Sequence, residues 1–544
     1  MYQGLGRDNR VVHRFAISFF FSVVSAQSPL RFENVAEAAG LRFVLENSPT
    51  PRKHMVETMA GGVAVFDYNG DGRPDIFFTN GASLPSLEKS HAKYNNRLFR
   101  NDGNWKFTDV TREAGLEGAG YSIGAAVADF DNDGHPDLFV AGTYRNLLYH
   151  NRGDGTFEEI TVKAGINSKF WSVAAGWFDY DGDGLLDLFV VNYAKWTPAF
   201  DRFCGDAARG LRVYCHPKYF PAVANQLYRN LGNGKFAEVT ASSGIGDHAG
   251  RGMSVAFADY DGDGRPDALV TNDNLANFLF RNVGGGKFEE VALAAGAALL
   301  DHGKPVASMG ADFRDVNNDG LPDIVITALS GETFPLFLNA GKGQFRDATH
   351  SSKLALATNP FAGWGLGLID FDNDGWKDLF TANSHVNDQV EKVEPYTYRQ
   401  QNAIFRNDKG SFALAEAGFT VKAAHRGSAF GDFDGDGRID IVVSALGEPA
   451  ELWRNLSTSK SGWLDVKLVG SRSNRDGIGA VVRVGGQTNI MTSAVSYASS
   501  SLGPVHFGGL GEVVDVEVLW PTGKKQKVQG AMTGRVVLVE ELAK

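Results

Sequence analysis

Seven short acidic stretches constrain this chain more than any other feature. One of them runs Asp179-Tyr-Asp181-Gly-Asp183-Gly184-Leu185-Leu-Asp187 and leads straight into Leu-Phe-Val-Val. Carboxylates stand at positions 1, 3, 5 and 9 of this stretch, and a glycine at position 6. In an extended loop alternate side chains point the same way, so the acids at 1, 3 and 5 can converge. The glycine permits the sharp turn that brings position 9 back to them. Carboxylates packed this closely repel, at about 4 kcal/mol per pair at ~4 Å and an effective dielectric of ~20. A hard divalent cation with oxygen ligands relieves that repulsion, and Ca²⁺ fits the donor set best. Position 7 would then offer its main-chain carbonyl, which leaves its side chain free to vary.

The other six stretches repeat the pattern. The first has Asp67, Asn69, Asp71 and Asp75 with Arg73 at position 7, and the second Asp129, Asp131, Asp133 and Asp137 with His135. Asp259, Asp261, Asp263 and Asp267 surround Arg265, and Asp315, Asn317, Asp319 and Asp323 surround Leu321. Asp370, Asp372, Asp374 and Asp378 surround Trp376, and Asp432, Asp434, Asp436 and Asp440 surround Arg438. The expectation is up to seven bound Ca²⁺, weaker where Asn69 and Asn317 keep an oxygen but lose a charge. An EF-hand is excluded, because it needs a bidentate Glu at position 12 between two helices. Position 12 here is Phe78, Val140, Val190, Val270, Ile326, Thr381 or Val443, each inside a β-branched or aromatic run.

Each acidic stretch sits in a longer repeat. A small apolar run such as Gly62-Val-Ala-Val-Phe66 precedes it, and a run such as Asp75-Ile-Phe-Phe-Thr79 follows. Then comes a phrase of the kind Asn96-Arg-Leu-Phe-Arg-Asn101, and finally Phe-acidic-Val-Thr, as at Phe107 and Phe236. The alternation predicts four short strands per repeat, the last followed by a turn. Four strands in each unit of ~40–60 residues is the pattern of propeller blades. The seventh unit lacks its fourth strand, and a spare copy stands at Phe32 to Val35. The reading is an all-β chain: a seven-bladed β-propeller over residues 30–457, closed by its N-terminal strand. The Ca²⁺ loops would share one rim, and the small first strands would line the centre. From 462 to 541 the acidic loops stop while strand alternation continues, which predicts a small sandwich-like all-β domain.

Residues 1–26 read as a signal peptide, with Arg7, Arg10 and Arg14, an apolar run from Phe15 to Val24, and small residues before Gln27. No later stretch is apolar enough to span a membrane, so the expected location is secreted, periplasmic or extracellular. There are two cysteines, Cys204 and Cys215, both inside an insertion at 194–224. In an oxidising compartment they are expected to pair. The net charge of −11 and the lack of a basic stripe argue against a nucleic-acid partner.

The acidic loops and the strands around them resemble the FG-GAP/VCBS repeats of integrin α-subunit propellers and their bacterial relatives. The C-terminal segment resembles the ASPIC/UnbV domain, through Ser473-Asn474-Arg475, Gly479-Ala-Val-Val, Tyr497-Ala-Ser-Ser-Ser, His506-Phe507-Gly and Trp520-Pro521-Thr-Gly523. Together they are similar to the cartilage-acidic-protein family of secreted proteins. That family usually has Gly-Leu-Gly after the Phe; here an extra residue gives Phe507-Gly-Gly-Leu-Gly511. The resemblance implies Ca²⁺ ligands at positions 1, 3, 5, 7 (main chain) and 9, and brings no catalytic residue. The function expected is a calcium-bearing binding or cell-adhesion scaffold for an extracellular protein or glycan. The alternative is an enzyme, a hydrolase or lyase, with its site in the propeller funnel or at the 194–224 insertion. No H-E-x-x-H helix or P-loop supports it. Among the histidines only His54, His216 and His506 stand out, each also readable as structural.

Overall fold

The computed structural model describes residues 30–542. The expected signal peptide at 1–26 lies outside the described residues. The described chain is all-β and propeller-like: apart from single helical turns, its elements are short strands. Seven antiparallel units of four strands follow one another. Sheet one, for example, pairs Val63–Phe66, Asp75–Phe78, Arg97–Gly103 and Lys106–Asp109 in sequence order. Sheets two to six begin at Tyr121, Ser172, Gly252, Ala311 and Gly363. Sheet seven has three strands from its own repeat, and its fourth is Phe32–Asn34, which pairs antiparallel with Glu451–Asn455. The first strand of each sheet packs on the first strand of the next, and that of sheet seven on that of sheet one, so the sheets form a closed ring.

The first strands are rich in glycine and alanine because they approach one another closely. A Cβ on Gly124 would stand 2.3 Å from the Val173 carbonyl oxygen of the neighbouring sheet, well inside contact distance. The larger side chains of the second strands, such as Phe77, Phe139 and Phe189, are fully buried between sheets.

Two features depart from the sequence expectation. The turn after most of the Phe-acidic-Val-Thr strands is a single turn of helix, as at Thr111–Ala114 and Thr161–Ala164. Gly115 and Gly165 stop these helices in the left-handed conformation, the usual helix stop for a residue without a Cβ. Where threonine opens the turn, it accepts a hydrogen bond from the third strand, Leu98 N to Thr111 Oγ1 at 2.9 Å and Leu148 N to Thr161 Oγ1 at 2.8 Å.

The second departure is at the axis. The C-terminal domain is a sandwich of two sheets, one of three strands around Gly462–Val469 and one of four around Val481–Val484 and Val513–Leu519. Between them the chain leaves the sandwich and enters the ring. Ser499–Ser501 adds in parallel to Val63–Phe66, with Ala64 opposite Ser500. Side chains of this segment take up main-chain groups from sheets around the ring. Val63 N donates to Ser499 Oγ, Val127 N to Ser500 Oγ, Leu366 N to Ser496 Oγ and Phe430 N to Ser501 Oγ. Tyr497 lies fully buried and donates to the Met59 carbonyl at the far end. The first strands therefore line a filled axis rather than an open funnel.

Candidate metal centres

Each acidic loop joins the first and second strands of its sheet, so all seven lie at the same end of the ring. Within a loop the position 1 aspartate organises the turn. Asp129 accepts from Asp133 N at 3.0 Å and Gly134 N at 2.7 Å, and Asp370 from Asp374 N at 2.9 Å and Gly375 N at 2.8 Å. The residue at position 4 needs a positive φ and is Gly or Asn throughout, with φ of 61° at Asn132 and 53° at Asn373.

The position 9 aspartates are buried beneath the loop. Asp137 takes Phe130 N on one oxygen and Asn151 N, from the third strand, on the other, at 3.2 and 2.8 Å. Asp75, Asp187, Asp267, Asp323 and Asp440 repeat both bonds, and Asp378 repeats the bond from the third strand. These acids therefore hold the sheet together as well as facing the loop.

Burial, reinforced by the other loop acids, pushes loop carboxyl groups up: at position 9 Asp75 and Asp267 to about 8 and Asp323 to about 7, at position 1 Asp129 to about 7 and Asp179 to about 6, and at position 5 Asp374 to about 6. Such shifts mark carboxylates short of positive charge. Ligand oxygens of Asp129, Asp131 and Asp137, of Asp179, Asp181 and Asp187, of Asp259, Asp261 and Asp263, and of Asp370, Asp372 and Asp374 each converge within 4.8 Å. Asp131 Oδ1, Asp372 Oδ1 and Asp378 Oδ2 are buried with no hydrogen-bond partner. An all-oxygen donor set with unpartnered buried oxygens fits a hard divalent cation.

At position 7 the side chains do not enter the acid cluster as ligands. Arg73, Arg265 and Arg438 reach back to donate to the carbonyls of Asn101, Asn282 and Asn455, and each also meets its position 5 aspartate. Leu185 and Leu321 face the glycine turns at Gly232 and Gly341.

Two sets of residues around the loops escaped sequence reasoning. The first is the asparagine at or near the end of each third strand. Its main chain serves the position 9 aspartate, and its side-chain amide crosses to the preceding sheet and donates to the carbonyl at position 2 of that loop. The pairs are Asn151 to Tyr68, Asn230 to Phe130, Asn282 to Tyr180, Asn339 to Tyr260, Asn407 to Val316, Asn455 to Phe371 and Asn101 to Phe433, all between 2.7 and 3.0 Å. The bonds run once around the ring. Their signal was present, since every third-strand phrase ends in Asn. The second set is the residue just before that asparagine: Arg100, His150, Arg229, Arg281, Leu338, Arg406 and Arg454. Arg229, Arg406 and Arg454 ion-pair with the position 3 acids Asp181, Asp372 and Asp434.

The C-terminal domain sits on this loop end. Asp129 N donates to Asp476 Oδ2 at 2.8 Å, and Arg475 N to Asn132 Oδ1 at 2.7 Å. His506 bridges Asp465 and Asn373, with 2.7 Å to an acceptor oxygen on each side. Burial opposes its charge, but Asp465, Asp370 and Asp432 outweigh burial and raise it. The unusual glycine pair lies at this contact. A Cβ on Gly508 would stand 2.3 Å from Asp370 Oδ2, and one on Gly509 2.7 Å from the Gly375 backbone. The other two histidines are structural: His54 is buried edge-on to Trp196, and His216 caps a short helical turn by accepting from Lys218 N.

The 194–224 insertion lies at the opposite end of the ring. Cys204 and Cys215 are disulfide-bonded, and Trp196 and Phe220 pack into the core with Trp171 and Tyr193. Phe203 and Tyr219 remain exposed, and the Arg202 guanidinium lies 3.9 Å over the Tyr219 ring.

Comparison with known proteins bears on both parts of the chain. A family profile described as FG-GAP-like repeat matches residues 67–140, 129–190, 219–270, 260–326, 315–381 and 395–443. A second, described as ASPIC and UnbV, matches 470–544. Cartilage acidic protein 1 of Mus musculus is 30% identical over 327 residues, which cover 56% of this chain and 46% of that protein. The Homo sapiens protein of the same name is 28% identical over 346 residues, 56% of this chain and 49% of that one. The chain thus spans about half the length of the curated relatives it matches. Among solved structures, an Agrocybe aegerita lectin that recognises non-reducing terminal N-acetylglucosamine aligns with TM-score 0.39 and 16% identity over 72% of this chain and 87% of the lectin. YCF48 bound to D1 peptide aligns with TM-score 0.42 and 9% identity over 79% and 99%.

Proposed function

We propose a function from one premise: this chain belongs to the FG-GAP-like repeat family and carries an ASPIC and UnbV domain behind the repeats. The protein is a secreted seven-bladed propeller, its loop rim rigidified by Ca²⁺, that presents a binding or adhesion surface to an extracellular protein or glycan. The observation that carries this reading is the convergence of buried, partly unpartnered loop carboxylates at one end of the ring. The ligands are the aspartates and asparagines at positions 1, 3, 5 and 9 and the main-chain carbonyl at position 7. Calcium there supplies the positive charge the loops lack. With the loop end covered by the C-terminal domain, the partner meets the opposite end, where the disulfide-bonded insertion offers Phe203 and Tyr219. An enzymatic site in the funnel has no support here, because residues 496–501 fill the axis.

Metal counting by native mass spectrometry and calorimetry before and after chelation tests the metal reading. Several Ca²⁺ per chain are expected, with a melting temperature lower by many degrees in EDTA. An unchanged melting curve with no calcium bound overturns it.

A further inference from the structure

We propose that the second loop is not a calcium site like the others but takes a transition-series divalent cation of the Zn²⁺ class, with His150 as a ligand. This inference rests on the metal reading above and concerns one loop only.

In five of the seven sheets the residue before the third-strand asparagine is arginine. A guanidinium is always charged and cannot ligate a metal; in sheets three, six and seven it pairs directly with the position 3 aspartate. Sheet two places His150 there instead, the only one of the seven sheets to do so. Its Nδ1 lies 2.9 Å from the Asn151 carbonyl oxygen, which can only accept. In the neutral ring the proton therefore sits on Nδ1, and the Nε2 lone pair faces the loop. This is the second-shell arrangement that orients metal-binding histidines.

Nε2 faces oxygen acceptors, 3.2 Å from Asp131 Oδ2 and 3.9 Å from Asp133 Oδ2. A charge-assisted N–H to carboxylate bond closes to about 2.7–2.9 Å. Two ligand atoms held at ~2.1 Å by one tetrahedral ion lie about 3.4 Å apart, close to the spacing seen. Asp131 Oδ1 is buried with no hydrogen-bond partner. Asp476 of the C-terminal domain adds a further carboxylate beside this loop, accepting from Asp129 N at 2.8 Å, with Arg475 against Gly134 as its countercharge. No arginine occupies the position from which sheets three, six and seven neutralise the position 3 acid. A mixed imidazole and carboxylate set suits Zn²⁺ and its neighbours, whereas calcium favours oxygen alone.

The test uses full-length protein freed of metal by chelation, then given one equivalent of Zn²⁺ in millimolar Ca²⁺ and dialysed. Elemental analysis and X-ray anomalous scattering at the zinc edge count and place the metal. H150R installs the side chain that five sister sheets carry, and H150Q removes the nitrogen with little change in volume. Wild type is expected to keep one zinc at the second loop, and both variants to bind it at least tenfold more weakly with calcium at the other loops unchanged. No retained zinc, calcium at the second loop, or zinc retained equally by H150R overturns the proposal. The last outcome would include zinc held by His135 of the same loop. Calcium at the remaining loops in the same sample keeps the general metal reading separate from this one.

Discussion

The residues that decide this structure are those whose side chains serve two sheets at once. Asn282 is buried; its main-chain N–H reaches Asp267 at 2.7 Å, its amide donates to the Tyr180 carbonyl at 2.7 Å, and its Oδ1 accepts from Gly284 N at 3.0 Å. Asn282→Leu keeps the branched four-atom side chain but strands three main-chain groups, the Tyr180 and Pro266 carbonyls and the Gly284 N–H. Each buried unsatisfied group costs about 1–3 kcal/mol, so the denaturant midpoint should fall accordingly with an unchanged slope. The loop aspartates make a different prediction, in pH. Asp75, burdened by burial, titrates at about 8 in the fold against 3.8 in the open chain. The folded state therefore holds a proton that the unfolded state has released, and stability falls as pH rises between these values. Metal-free protein should melt lower at pH 8 than at pH 5. Calcium requires the ionised form and should reverse or flatten that slope, so the melting gap between calcium and EDTA should widen with pH. A gap that stays constant from pH 5 to 8 would contradict the assignment of these acids as ligands.

At the scale of the elements, the repeat was legible because strand runs, glycine turns and acid spacing recur seven times in register. The loop positions read from the sequence fall at one end of the ring for the same reason. What the sequence hid was contact between units. The third-strand asparagine recurs once in every repeat, but the carbonyl its amide reaches lies in the previous sheet, some 80–330 residues away in number, so its spacing did not reveal its partner. The glycines of the first strands are a second case. In sequence Gly124 is one small residue among several; in the ring it is where two backbones meet, 2.3 Å from a carbonyl oxygen if a Cβ were added. Gly124→Val should force the two first strands apart at a cost of about 1–3 kcal/mol or more, as overpacking does. A valine there with no loss of stability would mean the sheets can slide, and the closed ring described here would be too rigid a picture.

On the scale of the whole molecule, the C-terminal domain is an internal part of the ring rather than a module appended to it. Sequence alternation gave its two sheets but not its excursion through the axis, since Ser496 to Ser501 is a polar run that reads as surface until its partners are seen. Those partners come from sheets one, two, four, six and seven: Val63, Val127, Ser254, Leu366 and Phe430 each bond to this segment. A ring built of repeats can open at any interface; a strand that bonds to five of its sheets opposes opening at all of them together. The connection between ring and sandwich is, by contrast, exposed from Thr458 to Ser461. A protease site engineered into that connection should therefore give a nicked protein whose two pieces co-elute as one species under native conditions and separate only in denaturant. The nicked protein should also melt in a single transition, because withdrawing the axial segment unsatisfies main-chain groups of sheets six, seven, one and two. Pieces that part on dilution, or two separate melting steps, would show that the domain is merely docked on the loop end, and that the axis holds its polar segment too weakly to close the ring.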